Sequence, residues 1–132
     1  MRILIFSDDA NVRERVKSAL GKRIHPELPE VTYVDVATGP VVLQEIGTGV
    51  VDVGRRVDVA ILDGEATPYG GMGIAKQLRD EIAACPPIVL LTGRLDDSWL
   101  AIWSRADAVV LLRALLKDRR FVVSLPCLSR AT

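Results

Sequence analysis

Apolar residues along this chain fall into two alternating rhythms. Short, largely apolar runs stand at RILIF (2–6), VTYVDV (31–36), VDVAILD (57–63), PIVLLT (87–92) and ADAVVLL (106–112). Runs of this length and character suit strands covered on both faces. Between them the period lengthens. Val12, Val16 and Leu20 recur every fourth residue, and Asn11 with Glu14 has the spacing of a capping box. That predicts a helix over 11–20, closed by Gly21, with Pro26 and Pro29 marking the loop beyond it. Residues 40–47 offer a short helix after Thr38-Gly39-Pro40, although Gly47, Gly49 and the β-branched residues count against it. Ile74, Leu78 and Ile82 share a helical face that is approached through Gly70, Gly71 and Gly73 and ends before Pro86-Pro87. A further helix is expected over 96–105, with Asp96 or Asp97 as its N-cap. Strands alternating with amphipathic helices imply βα units, right-handed crossovers and an α/β fold with a parallel, helix-covered sheet.

Composition narrows this picture. A chain of 132 residues that is 49% hydrophobic supports one domain with one core, here read as 1–132 without a dividing linker or repeat. Lys and Arg balance Asp and Glu at 17 each, which removes the long-range pull expected of a nucleic-acid binder. Cys85 and Cys127 lie far apart with no CxxC spacing, and they read as reduced thiols rather than metal ligands. His25, followed by Pro26 in a polar stretch, reads as a solvated loop residue. No signal-peptide pattern opens the chain, and no run approaches the roughly 18 apolar residues of a membrane span. A soluble cytoplasmic protein is therefore expected, with no membrane contact.

The candidate chemistry collects at strand ends, because ligands of open α/β sheets bind outside the carboxyl ends of the strands. The first strand runs into Ser7-Asp8-Asp9, the third ends in Asp63, and the fourth ends in Thr92-Gly93. Each acid taken alone has a bland explanation: Asp8 and Asp9 can cap the first helix, and Asp63 can sit in a turn. Together they form an acidic pocket with a hydroxyl beside it. Gathered carboxylates repel unless a hard cation joins them, and Mg²⁺ prefers a few carboxylates plus water and phosphate oxygens. A carboxylate can also act as a nucleophile and form an aspartyl phosphate.

Three stretches carry a family resemblance. ILIFSDDANVR, VDVAILDGEATPYGGMGIAKQLRD and PPIVLLTGRLDD resemble the first strand, phosphoacceptor strand and switch-threonine strand of receiver domains in two-component response regulators, over about residues 1–112. The resemblance implies a flavodoxin-like, doubly wound sheet of five strands. It implies Asp63 as phosphoacceptor, Thr92 as the hydroxyl that contacts the phosphoryl group, and Asp8 as a direct Mg²⁺ ligand. Asp63 would share that metal, Glu65 would lend its backbone carbonyl, and Asp9 is a further candidate. A histidine kinase or another phosphodonor is the implied partner, in a non-enzymatic signalling module that stands alone without an output domain.

The departures are specific. The family's first acidic position falls on Ser7, and the lysine that ends its fifth strand falls on Leu112. Arg113 is adjacent, but on a strand the next side chain faces the other way. The reporter aromatic of the fifth strand falls on Val109. An atypical receiver is expected, and a pseudo-receiver that binds partners without being phosphorylated stays open beside it. Trp99 and Trp103, four residues apart on the 96–105 helix, suit core packing. In the resembled family, however, that face carries partner and dimer contacts, so a protein partner or a second copy of the chain is implied there. After a helix expected over 112–119, the segment RFVVSLP reads as extended, which leaves 113–132 atypical.

Two other classes compete. Asp63-Gly-Glu65-Ala-Thr67 has the look of the haloacid-dehalogenase-type phosphatase motif, but that motif normally ends the first strand and its second acid is usually Asp. Gly70-Gly71-Met72-Gly73 is the one glycine-rich candidate for a nucleotide, yet it lacks GxGxxG spacing and does not directly follow a strand.

Overall fold

The fold is described by a computed structural model that covers residues 1–24, 26–48, 57–64, 70–82, 85–93 and 106–117. Its elements run β1 (Arg2–Phe6), α1 (Ala10–Leu20), β2 (Thr32–Val36), α2 (Gly39–Thr48), β3 (Val59–Asp63), α3 (Gly71–Glu81), β4 (Ile88–Thr92), β5 (Ala108–Leu111) and α4 (Leu112–Lys117). All five strands pair in parallel, in the order β2-β1-β3-β4-β5. This is the flavodoxin-like doubly wound sheet, whose switch in strand order lies between β1 and β3.

The unbroken apolar runs are explained by burial on both faces. Ile3 and Ile5 of β1, Val59 and Ile61 of β3, and Val89 and Leu91 of β4 pack with Val16 and Leu20 of α1 and Leu115 of α4. Their neighbours Leu4, Phe6, Ala60, Leu62, Ile88 and Leu90 pack on the opposite face with Val42 and Ile46 of α2 and Ile74 and Leu78 of α3. Each fully buried Ile or Leu contributes on the order of 1.5–3 kcal/mol relative to exposure, which makes the three central strands the stable part of the sheet. The edge strands β2 and β5 are only partly covered.

Several boundaries differ from the sequence expectation. The N-cap of α1 is Asp9, not Asn11, so no Asn11–Glu14 capping box forms. The Oδ1 of Asp9 accepts from the backbone N–H of Asn11 at 2.8 Å, and the helix starts at Ala10. The far end is as expected: Gly21 has φ 75°, a conformation glycine adopts without strain, and its N–H bonds the carbonyl of Lys17 at 2.8 Å. Asp9→Ala is expected to cost about 1 kcal/mol of stability, read as a lower denaturant midpoint at unchanged slope.

α2 is longer than its composition suggests, because tertiary burial of Val42 and Ile46 outweighs intrinsic propensity. Pro40 fits its first turn, where no N–H is needed. Gly71 and Gly73 lie inside α3 rather than before it, and Gly70 is the N-cap. β5 stops at Leu111, so Leu112 opens α4 and is not the last strand residue. α4 is described as far as Lys117, and residues 118 and 119 of the expected helix lie outside the described residues.

Two polar clamps tie helices to the sheet. Lys17 of α1 bonds Asp35 of β2 at 2.8 Å, and Asp35 and Glu14 hold its ammonium above the ordinary lysine value. Arg79 of α3 pairs with Asp107, whose Oδ2 also accepts from the Ile88 N–H at 2.7 Å. Burial pushes the Cys85 thiol up, which disfavours its reactive thiolate. His25, Glu65, Trp99, Trp103, Cys127, the 96–105 helix and residues 118–132 lie outside the described residues. Among the described residues no helix is long and apolar enough to cross a membrane.

Candidate functional site

β1 and β3 are neighbours with Phe6 opposite Leu62, so the residues that follow, Ser7 and Asp63, come together at the switch point. Both continue the parity of Ile5 and Ile61, so both lean toward the face covered by α1 and α4. The site is nearly closed to solvent: Ser7 is 0% exposed, and Asp63 and Thr92 are each 7% exposed. The hydroxyl of Ser7 donates to Oδ2 of Asp63 at 2.8 Å. A buried carboxylate needs such a donor, since desolvation without one costs several kcal/mol.

Thr92 ends β4 next to β3, one residue beyond the pairing of Leu91 with Asp63. The chain leaves β3 through Gly64, whose N–H bonds the Leu91 carbonyl at 2.8 Å. Asp8 lies exposed in the β1–α1 turn, and Asp9 is engaged as the helix cap. Three of the sequence candidates, Asp8, Asp63 and Thr92, therefore stand at adjacent strand ends. Glu65 lies outside the described residues.

In the sequence Ser7 marks a missing acid, and the structure gives it partners on every polar atom. Its N–H bonds the Val36 carbonyl at 3.1 Å, its carbonyl accepts from Arg13 Nη1 at 2.5 Å, and its Oγ accepts from the Asp9 N–H at 3.1 Å. Arg13 was not singled out from the sequence. Its position on α1 says nothing of its reach to the end of β1, and no spacing motif marks it. Its Nε lies 3.7 Å from Asp35, too long for a hydrogen bond.

Leu112 stands where the resemblance puts a lysine. It continues the parity of Ala108 and Val110 and packs, partly buried, against the α1-side core, while Arg113 is exposed. An aliphatic side chain there leaves the site without that ammonium.

As for a metal, no group of three or more His, Cys, Asp or Glu is gathered among the described residues. The exposed Asp8 and the buried Asp63 are of the ligand type that Mg²⁺ takes, since it commonly uses one or two protein carboxylates and keeps its waters.

No protein-family model matches the chain. Over 110 residues it is 63% identical to a response regulatory protein of Mycobacterium tuberculosis in strains H37Rv and CDC 1551, covering 83% of this chain and 78% of that protein. The chain belongs to the response regulators. Its fold is that of their receiver domains, and its role is that of a receiver in two-component signal transduction. Among solved structures it is similar to the response regulator TrrA of Thermotoga maritima, crystallised with Mg²⁺-BeF, at 28% identity and TM-score 0.62 over 83% of this chain and 84% of that one. The receiver domain of the Arabidopsis thaliana histidine kinase CKI1, complexed with Mg²⁺, matches at TM-score 0.69 and 18% identity, covering 92% of this chain and 88% of that one; this supports the fold alone.

Proposed function

We propose that this receiver accepts a phosphoryl group on Asp63 and signals through contacts with a partner protein. The observation that carries the reading is the buried pairing of Asp63 with Ser7 at the β1/β3 switch point, with Thr92 ending the next strand. In the transfer, a carboxylate oxygen of Asp63 attacks phosphorus while the bond from phosphorus to the donor's imidazole nitrogen breaks. The electron pair leaves with that nitrogen, and the carboxylate becomes an acyl phosphate. The Thr92 hydroxyl would donate to a phosphoryl oxygen. Asp8 and Asp63, with the Glu65 carbonyl, would hold a weakly bound Mg²⁺, which when bound offsets the charge on the phosphoryl oxygens.

A phosphohistidine on a histidine kinase is the proposed donor, and the encounter belongs in the cytoplasm. The module forms one domain and turns over no substrate of its own. Its output is a protein contact made through the segment around Trp99 and Trp103, with a partner or a second copy of the chain. Incubating the protein with acetyl phosphate and Mg²⁺ is expected to add one phosphate, detected by intact mass.

Leu112 favours a second reading. With no ammonium at that position, a phosphoryl group lacks that one neutralising partner, and the module would act by binding alone. A wild-type protein that takes no phosphate under these conditions selects this pseudo-receiver.

A further inference from the structure

We propose that Ser7 is the positioning residue of Asp63, a neutral hydrogen-bond donor that holds the carboxylate in a single orientation. The argument starts from how fully Ser7 is itself held. It is entirely buried, and its N–H, its carbonyl and an Oγ lone pair are engaged by Val36, Arg13 and Asp9 respectively. With the Asp9 N–H directed at Oγ, the hydroxyl proton is left for an acceptor, and that acceptor is Oδ2 of Asp63 at 2.8 Å. The three backbone and side-chain anchors come from β2, α1 and the β1–α1 turn, so the hydroxyl is aimed before any ligand arrives. Hydrogen bonds to a charged acceptor are short and roughly twice as strong as neutral ones.

A carboxylate side chain at position 7 could not do this, because two ionised acids at that distance repel unless a cation lies between them. Asp63 is thus oriented by a dipole where an acidic neighbour would need a metal. Arg13 belongs to the same device: it holds the Ser7 carbonyl from α1 and so fixes the backbone from which the hydroxyl projects. The consequence for the reaction is a nucleophile kept in place by the protein itself, and such preorganisation is felt in rate.

The functional side rests on Asp63 being the phosphoacceptor, but the first test needs no phosphodonor. Three-bond couplings of the Asp63 β-protons, measured by NMR in metal-free protein, are expected to report a single χ1 rotamer in the wild type. Ser7→Ala should give rotamer averaging, and Ser7→Thr, which keeps the hydroxyl, should restore the single rotamer. Ser7→Ala removes only one oxygen from a buried position; should it fail to fold, Ser7→Cys keeps the volume with a weak donor and is expected to show the averaging instead. One unchanged rotamer in the folded variant that lacks the hydroxyl overturns the proposal.

The second readout is phosphate incorporation from acetyl phosphate, expected to fall about tenfold in Ser7→Ala and to recover in Ser7→Thr. An unchanged rate in Ser7→Ala also overturns it. A wild type that takes no phosphate defeats the phosphoacceptor reading, and the couplings then decide the role of Ser7 by themselves.

Discussion

Asp63→Asn should take up no phosphate from acetyl phosphate and Mg²⁺ under conditions where the wild type gains one. The substitution removes the anionic oxygen that must form the bond to phosphorus and replaces it with an amide of nearly the same shape. The amide carbonyl can still accept from Ser7 where the carboxylate oxygen does now, at 2.8 Å. Because the buried polar contact survives, the melting temperature is expected to change by only a few degrees, far less than burying an unpaired group would cost. Loss of label with the fold intact therefore identifies the acceptor rather than a damaged site. Label that persists in Asp63→Asn would place the acceptor elsewhere and sink the assignment. Steady hydrolysis of a generic phosphate ester, lost in Asp63→Ala, would instead revive the phosphatase reading of Asp63-Gly-Glu65.

The largest effect on stability is expected one residue later. A Cβ added at Gly64 would lie 2.7 Å from the Leu91 carbonyl oxygen, closer than such atoms approach, and that oxygen is backbone in a central strand. The same carbonyl accepts the Gly64 N–H at 2.8 Å, so the two chains cannot separate without losing a ladder bond. Gly64→Ala should cost about 3 kcal/mol, near the upper end of overpacking penalties, and lower the melting temperature on the order of 10 °C. Gly73→Ala is the control. A Cβ there meets nothing within 4 Å, and in the first turn of α3 alanine is expected to stabilise by about 0.5–1 kcal/mol. A Gly64→Ala protein that melts within about 3 °C of the wild type would mean that the turn relaxes, and the close approach would then not explain the glycine.

The site was partly legible before the fold. Asp63 and Thr92 stand out in the sequence because each ends an apolar run, and the fold places both, buried, at the ends of neighbouring strands. The sequence offers two caps for the first helix, the acids Asp8 and Asp9 and the capping-box spacing of Asn11–Glu14, and the turn from β1 selects Asp9 by bringing it to the helix start. α2 exceeds its local propensity for a different reason. Its β-branched and glycine residues lower local propensity, but burial of Val42 and Ile46 depends on a sheet face that no local window contains. Arg13 gave no signal, since its partner is a backbone carbonyl and any residue has one.

By itself, then, the chain determined the five strand-forming runs and, for β1, β3 and β4, the side chains that stand at or just past their ends: Ser7, Asp63 and Thr92. These follow from local patterns of burial and from the residue types at their ends. What only the tertiary structure decided is who meets whom. Ser7 and Asp63 are 56 residues apart, and they touch because β3 crosses β1 to its far side, which places the two strands next to each other at the switch point. Strand order is a property of the whole sheet that no local window contains, so a hydroxyl that reads as a missing acid becomes, in the fold, a donor to the carboxylate.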